Sequence, residues 1–308
     1  SVVARGLVPF ALGTDTAGSG RVPAGFNNLV GLKPTRGWLS ARGVVPACRS
    51  LDCVSIFALT LDDADTVAGV AAGFDPQDAY SRQMPRGACR RQMGERPRLA
   101  IPAQPEWFGD RQAQAAWNAA LARLRAMGVV LQEVDFTPMQ ELARLLYEGP
   151  WVAERHAAIG AFLAAHGDAV NPVVAGIVHS AQAFSATDAY RAEYRRMALS
   201  RVINGVFQRY DALLVPTAPT IPTQADVAAR PVQANSELGL YTNFVNLADA
   251  CALALPAGMR ADGLPFGITL IAPAWHDAAL AAFGRVWQRA APWTLGATGR
   301  AMPAPPAP

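Results

Sequence analysis

A glycine-rich loop near the start of the chain, residues 13–24, carries the residues best suited to chemistry. It reads Gly-Thr-Asp-Thr-Ala-Gly-Ser-Gly-Arg-Val-Pro-Ala, and its one serine, Ser19, follows a run of small residues. Small residues let the backbone approach a ligand and turn its N–H groups inward, as an oxyanion hole requires. The loop could therefore hold a carbonyl group while Ser19 attacks it.

The same loop has simpler interpretations. Glycine-rich loops are common without catalysis, and some of them bind phosphate. The phosphate-binding pattern Gly-x-x-x-x-Gly-Lys-Ser/Thr is absent, however, and Arg21 does not replace its lysine. The Gly-x-Ser-x-Gly pattern is absent too, and no histidine close to Ser19 suggests a Ser-His-Asp triad, although such partners need not be close in sequence.

The complete string resembles the signature of the amidase-signature hydrolases, roughly Gly-Ser/Thr-Asp-x-Gly/Ala-Gly-Ser-x-Arg-x-Pro-Ala. Gly-Leu-Lys-Pro-Thr at 31–35 continues the match in register, and the resemblance covers nearly the whole chain. It implies that Ser19 is the nucleophile. It also implies that an oxyanion hole is formed by backbone N–H groups of Thr16, Ala17, Gly18 and Ser19 itself.

The resemblance further implies that Asp15 and Arg21 brace the loop. In the family, a lysine and a second serine on a cis peptide bond relay the proton from the nucleophile, and both lie upstream of the signature. Neither has a counterpart here, since Lys33, the only lysine, matches the Leu-Lys-Pro-Thr stretch. We therefore expect residues 1–300 to be the C-terminal two-thirds of one amidase-signature domain, followed by a linker-like tail at 301–308. The 308-residue chain alone is expected to be inactive.

A second stretch, residues 146–155, resembles the corresponding segment of the allophanate hydrolases. The resemblance implies that Tyr147 and Arg155 hold the substrate. Pro150 is expected at the first turn of a new helix, which would place Tyr147 at the end of one helix and Arg155 one turn into the next. Allophanate is urea with an N-carboxylate, and an arginine can bind a carboxylate through two parallel hydrogen bonds, with a tyrosine hydroxyl adding a third.

A simpler interpretation of that stretch remains, namely a core tyrosine and a surface arginine paired with Glu148 or Glu154. Residues 26–30, 49–55 and 241–246 also resemble allophanate hydrolases rather than general amidases. Within the last of these, a role for Asn243 in bracing the loop is favoured over a place in the site.

The predicted function is hydrolysis of allophanate to ammonia and carbon dioxide through a serine acyl-enzyme, within urea degradation and nitrogen metabolism. The alternatives are another amidase-signature hydrolase of small carboxylated amides, such as malonamate, or a non-catalytic fragment that keeps the anion pocket. The chemistry requires no metal and no organic cofactor. Family members are often homodimers, so a homodimer is expected here.

Composition narrows the possible partners. Hydrophobic residues make up 51% of the 308 residues and charged residues 17%, which predicts a sizeable core. The net charge of +3 is too small to indicate a nucleic acid or an anionic membrane as partner. No stretch approaches 18 apolar residues, and four cysteines without a CxxC pair indicate neither zinc nor a disulfide framework. We expect a cytoplasmic enzyme.

The elements that would hold these residues alternate between strand and helix, which predicts an α/β fold with a large mixed sheet covered by helices on both faces. Residues 98–102, 111–127 and 129–136 form a strand–helix–strand unit with parallel strands. Thr60 is expected to cap a helix. Residues 1–12 are predicted to be a buried helix or strand. The remaining predictions are helical stretches at about 138–166 and 186–209, a helix at 276–290, a strand at 212–216, a loop at 217–236, and apolar segments at 241–256 and 264–273.

Overall fold

The computed structural model of the chain describes residues 1–291 and 293–302. Apart from Ala301 and Met302, the predicted tail at 301–308 lies outside the described residues. None of the helices in the described part of the chain is long and apolar enough to cross a membrane.

The described residues form one mixed sheet in the strand order β1-β3-β2-β7-β8-β6-β4-β5. The strand β4 runs parallel to β5 and β6, and the other neighbouring pairs are antiparallel. The strands are β1 (Phe10–Asp15), β2 (Val30–Lys33), β3 (Cys53–Ala58), β4 (Arg98–Pro102), β5 (Val130–Val134), β6 (Ala212–Pro216), β7 (Ala250–Met259) and β8 (Pro265–Pro273).

Helices cover both faces of the sheet, and the predicted α/β class is confirmed. They are α1 (Val22–Phe26), α2 (Leu61–Ala71), α3 (Arg111–Ala126), α4 (Thr137–Glu148), α5 (Val152–Ala165), α6 (Pro172–His179), α7 (Ala186–Phe207), α8 (Gln224–Ala229), α9 (Pro231–Leu238) and α10 (Asp277–Arg289). Side chains alternate between the faces of a strand. Leu214 of β6 accordingly packs in the cluster with α2, α3 and α10, whereas its neighbours Leu213 and Val215 pack in the cluster with α4 and α7.

Local signals in the sequence correctly predicted several elements. The β4–α3–β5 unit has parallel strands, as expected. Thr60 caps α2, because its side chain accepts a hydrogen bond from the N–H of Asp63. The predicted break near Pro150 is also present, since α4 ends at Glu148 and α5 begins at Val152.

Other predictions were wrong. Residues 1–12 are mostly exposed, with β1 beginning at Phe10, so the prediction of a buried segment fails. The predicted loop at 217–236 contains α8 and most of α9. Thr223 and Asp226 form a capping box at the start of α8, and Pro231 occupies the first turn of α9. The helix α6 was not predicted.

Candidate active site

Ser19 lies at the turn between the end of β1 and the start of α1, where its side chain is exposed while Gly18 and Gly20 on either side are buried. The turn closes through hydrogen bonds from the N–H groups of Arg21 and Val22 to the carbonyl oxygen of Gly18, at 2.9 and 2.8 Å. The exposed Ser19 hydroxyl is thus presented on a backbone that is fixed on both sides.

A buried ion pair closes the base of this loop. Two nitrogens on one edge of the Arg21 guanidinium, Nε and Nη2, donate to the carboxylate of Asp15 at 2.8 Å, and both side chains are fully buried. The N–H of Gly20 donates to the same carboxylate at 3.0 Å. Burial by itself raises the pKa of Asp15, but Arg21, Lys33 and the Gly20 N–H together hold that pKa below its usual value. Asp15 and Arg21 therefore join the two ends of the loop, as the family resemblance implied.

Backbone donors are available beside Ser19. Within residues 1–291 and 293–302, no acceptor is found for the N–H groups of Thr16, Ala17, Gly18 or Ser19. Unpaired N–H groups that precede a nucleophile are the donors that an oxyanion hole needs. The loop therefore combines an exposed serine with a row of N–H groups that have no acceptor among the described residues.

Gly18 is required by a close approach. A Cβ atom on Gly18 would lie 2.3 Å from Oγ1 and 2.9 Å from Cβ of Thr242. The carbonyl oxygen of Thr242 also accepts a hydrogen bond from Nη1 of Arg21 at 3.2 Å. The turn around Thr242 therefore packs directly under the nucleophile loop.

Tyr147 and Arg155 are brought together by the break between α4 and α5. Tyr147 lies in the last turn of α4 and is exposed, and Arg155 lies in the first turn of α5 and is partly buried. The guanidinium carbon of Arg155 is 5.1 Å from the centre of the Tyr147 ring, a cation–π arrangement. Burial lowers the pKa of Arg155, but its neighbours Tyr147 and Cys48 raise it overall, so the guanidinium stays charged.

The ion pairs of the simpler interpretation are not observed. Within the described part of the chain, Arg155 forms no salt bridge with Glu148 or Glu154, and its Nε has no hydrogen-bond partner. The carboxylate of Glu154 instead accepts hydrogen bonds from the N–H and the hydroxyl of Ser50. Arg155 is thus not neutralised by either glutamate, and its Nε has no acceptor among the described residues.

One turn of the chain contacts both groups of candidate residues. Thr242 lies against Gly18, and the next residue, Asn243, lines a groove of about 200 Å³ together with Tyr147. The 241–246 turn therefore contacts the predicted nucleophile loop through Thr242 and shares a groove with Tyr147 through Asn243. The bracing role expected of Asn243 belongs to Asn246, whose amide donates to the carbonyl oxygens of Asp15 and Leu51 at 2.6 and 2.9 Å.

Lys33 is fully buried, and its Nζ donates to the carbonyl oxygen of Pro34 at 2.8 Å, which supports its structural rather than catalytic assignment. Among the described residues, no three His, Cys, Asp or Glu side chains are grouped in a way that could hold a metal ion.

Several residues that hold the site together were not predicted to do so, chiefly Asp52, Glu154, Thr242 and Asn246. Thr16 donates to Asp52 at 2.5 Å across 36 positions of sequence. All four lie in stretches that resemble the allophanate hydrolases, namely residues 49–55, 146–155 and 241–246. That resemblance is the signal from which their importance could have been predicted.

Comparison with known proteins shows the family and the fold to which the chain is similar. Residues 1–281 match the family model described as Amidase. The urea amidolyases of Saccharomyces cerevisiae and Lachancea kluyveri are 49% and 47% identical over 283 residues, which is 91% of this chain and 15% of each relative. The Kluyveromyces lactis allophanate hydrolase structure superposes with a TM-score of 0.95 at 46% identity, covering 98% of this chain and 50% of that one.

The chain thus spans 15% of these curated relatives and half of this solved structure. These matches confirm the predicted resemblance to allophanate hydrolase. With a family model matching residues 1–281 and the signature loop folded around an exposed Ser19, the chain belongs to the Amidase family.

Proposed function

We propose that this chain carries the nucleophile and the substrate-binding residues of an allophanate hydrolase, and that the full-length protein converts allophanate to ammonia and carbon dioxide. Ser19 is the nucleophile, and the backbone N–H groups of Thr16, Ala17 and Gly18 form the oxyanion hole. Support comes from the Kluyveromyces lactis allophanate hydrolase, which shares 46% identity and the same fold.

The observation that carries the proposal is the arrangement of Arg155 and Tyr147. A charged guanidinium is stacked on an aromatic ring, is free of any carboxylate of the described residues, and has an unused donor at Nε. The planar guanidinium of an arginine can bind a planar carboxylate through two parallel hydrogen bonds, and the ring of Tyr147 lies beside it at 5.1 Å. A small amide that carries a carboxylate is the substrate class that such a pair favours.

In the proposed reaction, the Ser19 oxygen bonds to the terminal amide carbonyl of allophanate while its proton passes to a base. The negative charge that forms on the carbonyl oxygen is stabilised by the loop N–H groups. The C–N bond then breaks and ammonia leaves with a proton, which gives an acyl-enzyme. Water attacks this ester and releases Ser19 and an N-carboxylated carbamate, which decarboxylates.

The test compares substrates in the full-length protein. Ammonia release is measured with allophanate, malonamate and acetamide for the wild type, for Arg155→Ala and for Arg201→Ala, an exposed arginine on α7 with no ion pair in the described residues. We expect preference for allophanate, and a loss in Arg155→Ala that is large for the carboxylated amides and small for acetamide. Faster turnover of malonamate would favour the alternative substrate, and an equal loss on acetamide would count against the carboxylate contact.

Other expectations from the sequence stay predictions. They are a homodimer, a cytoplasmic location, a role in urea degradation, the division at residue 300, and the inactivity of the 308-residue chain on its own.

A further inference from the structure

A short turn at residues 48–52, here called the bridging turn, lies between the nucleophile loop and the start of α5. It is closed internally, because the N–H groups of Leu51 and Asp52 both donate to the carbonyl oxygen of Cys48 at 2.8 Å. Two carboxylates connect it to the two halves of the candidate site. One half is the nucleophile loop, and the other is the substrate-binding half at the start of α5, which carries Arg155.

The first carboxylate, that of Asp52, is attached to the nucleophile loop. Its Oδ1 accepts a hydrogen bond from the Thr16 hydroxyl at 2.5 Å. The N–H groups of Ala47 and Cys48 donate to its Oδ2 and Oδ1, at 2.9 and 3.2 Å. Because both oxygens of the buried Asp52 accept from N–H donors, a neutral amide at this position would turn an NH₂ group toward a donor.

The second carboxylate, that of Glu154, belongs to the substrate-binding half. It accepts from the N–H of Ser50 at 2.8 Å and from the Ser50 hydroxyl. Glu154 precedes Arg155 in the first turn of α5, so these bonds fix the backbone from which Arg155 projects. The buried thiol of Cys48 donates to the carbonyl oxygen of Trp151 at 3.5 Å, a second contact between the turn and the start of α5.

Two further side chains hold the bridging turn from other directions. A guanidinium nitrogen of Arg36 donates to the carbonyl oxygen of Ser50. The amide of Asn246 donates to the carbonyl oxygens of both Leu51 and Asp15, which lies at the end of β1. The turn is therefore fixed with respect to the sheet as well as to both halves of the site.

We propose that Asp52 and Glu154 are positioning residues for the reaction, acting through the bridging turn. Asp52 sets the position of the oxyanion loop through Thr16 and thereby governs the chemical step. Glu154 sets the position of Arg155 and thereby governs binding of the substrate carboxylate. The Glu154 assignment rests on the proposed function, whereas the Asp52 assignment requires only that Ser19 is a nucleophile.

The Asp52 assignment is tested in the full-length protein by the rate at which a fluorophosphonate labels Ser19, and by kcat. Asp52→Asn and Thr16→Val are each expected to lower both rates about tenfold or more, because a small displacement of catalytic groups has large effects on rate. Thr16→Ser keeps the hydroxyl and should restore most of the rate. Circular dichroism establishes that each variant is folded. Labelling and kcat within twofold of wild type in folded Asp52→Asn would overturn the assignment.

The Glu154 assignment is tested by separating KM from kcat. Glu154→Gln and Ser50→Ala should raise the KM for allophanate about fivefold to twentyfold with kcat within twofold, and should leave Ser19 labelling unchanged, since contacts made equally in ground and transition states act on KM alone. The matched control is Glu133→Gln, an exposed glutamate on β5 at the opposite edge of the sheet from β1. A KM in Glu154→Gln no higher than in the control would overturn the assignment.

Failure of the proposed function would be distinguishable from failure of this inference. A wild-type protein that releases no ammonia from allophanate would overturn the proposed function and, with it, the assignment of Glu154. The assignment of Asp52 would then be decided by the labelling rate alone.

Discussion

The carboxylate of Asp15 accepts two hydrogen bonds of 2.8 Å from the guanidinium of Arg21, although both side chains are fully buried. The two residues lie at the end of β1 and at the start of α1, so the pair joins the strand and the helix on either side of Ser19. A buried pair is costly to desolvate, and breaking it leaves an uncompensated charge. The loop geometry consequently depends on both members.

Arg21→Lys is expected to lower the free energy of unfolding by about 3 kcal/mol, because lysine cannot reproduce the two-pronged contact with Asp15 in a buried site. Denaturant unfolding of the purified protein measures this change. Arg201→Lys is the matched control, since its exposed position should tolerate lysine within about 0.5 kcal/mol. Equal stability of the two variants would contradict the account of the pair.

Acid should weaken the fold through Asp15, because the pKa of this carboxyl is lowered in the folded state, where burial is outweighed by Arg21, Lys33 and the Gly20 N–H. The ionised form stabilises the fold above about pH 4, the pKa of an unfolded aspartate, and this contribution is lost as the pH falls through the lower folded-state pKa. Burial raises the pKa of Asp277, so this residue changes the free energy of unfolding with pH in the opposite direction.

The contribution of Asp15 is therefore measured as a difference between wild type and Asp15→Asn. Below pH 4, the free energy of unfolding of the wild type should fall more steeply, by up to about 1.4 kcal/mol per pH unit. Urea unfolding between about pH 2 and about pH 6, a range of about two units on either side of the pKa of an unfolded aspartate, measures how the free energy of unfolding changes with pH in each protein. Parallel slopes would show that the pKa of Asp15 is not lowered in the fold.

Gly18→Ala is expected to lower kcat about a hundredfold, because the new Cβ would overlap Thr242 and displace the oxyanion loop. Adding Thr242→Ala should recover part of the loss, since it removes the clashing hydroxyl but keeps the carbonyl oxygen that Arg21 uses. Gly69→Ala is the control, because nothing lies within 4 Å of a Cβ there. A double variant as slow as Gly18→Ala would show that the Thr242 hydroxyl is not the cause, and would leave the Cβ of residue 242 and the positive φ of Gly18 as the source of the displacement.

Tyr147→Phe keeps the ring on which Arg155 stacks and removes only the hydroxyl. A hydrogen bond to a charged group is worth about 1.5–3 kcal/mol, so the KM for allophanate should rise about tenfold to a hundredfold. Steady-state ammonia release measures it, with Tyr190→Phe on the exposed face of α7 as control. An unchanged KM would show that the Tyr147 hydroxyl does not bind the substrate and that only the ring acts, by supporting Arg155.

The nucleophile loop and the Tyr147–Arg155 pair could be predicted from the sequence because each is carried by neighbouring residues. Ser19 and its donors are consecutive in the chain, and Tyr147 and Arg155 are separated by one helix break. The bracing contacts could not be predicted, since Thr16 and Asp52 are 36 residues apart and Asn246 and Asp15 are 231 apart. Only the folded sheet brings such residues together.

The errors in the fold have local causes. The segment at 217–236 is rich in proline and threonine and was predicted to be a loop. It contains two signals for the start of a helix, however, namely the capping box of Thr223 and Asp226 before α8 and Pro231 in the first turn of α9. The apolar residues before β1 suggested burial, and yet most of that segment is exposed.

The role of Ser19 as the acyl-accepting nucleophile underlies the proposed reaction. Its most direct test is mass spectrometry of the full-length protein after incubation with a fluorophosphonate, combined with ammonia release from allophanate, for wild type and Ser19→Ala. We expect an adduct on the peptide containing Ser19 in the wild type, and neither adduct nor ammonia release in Ser19→Ala. Ammonia release at the wild-type rate from Ser19→Ala would rule out Ser19 as the nucleophile.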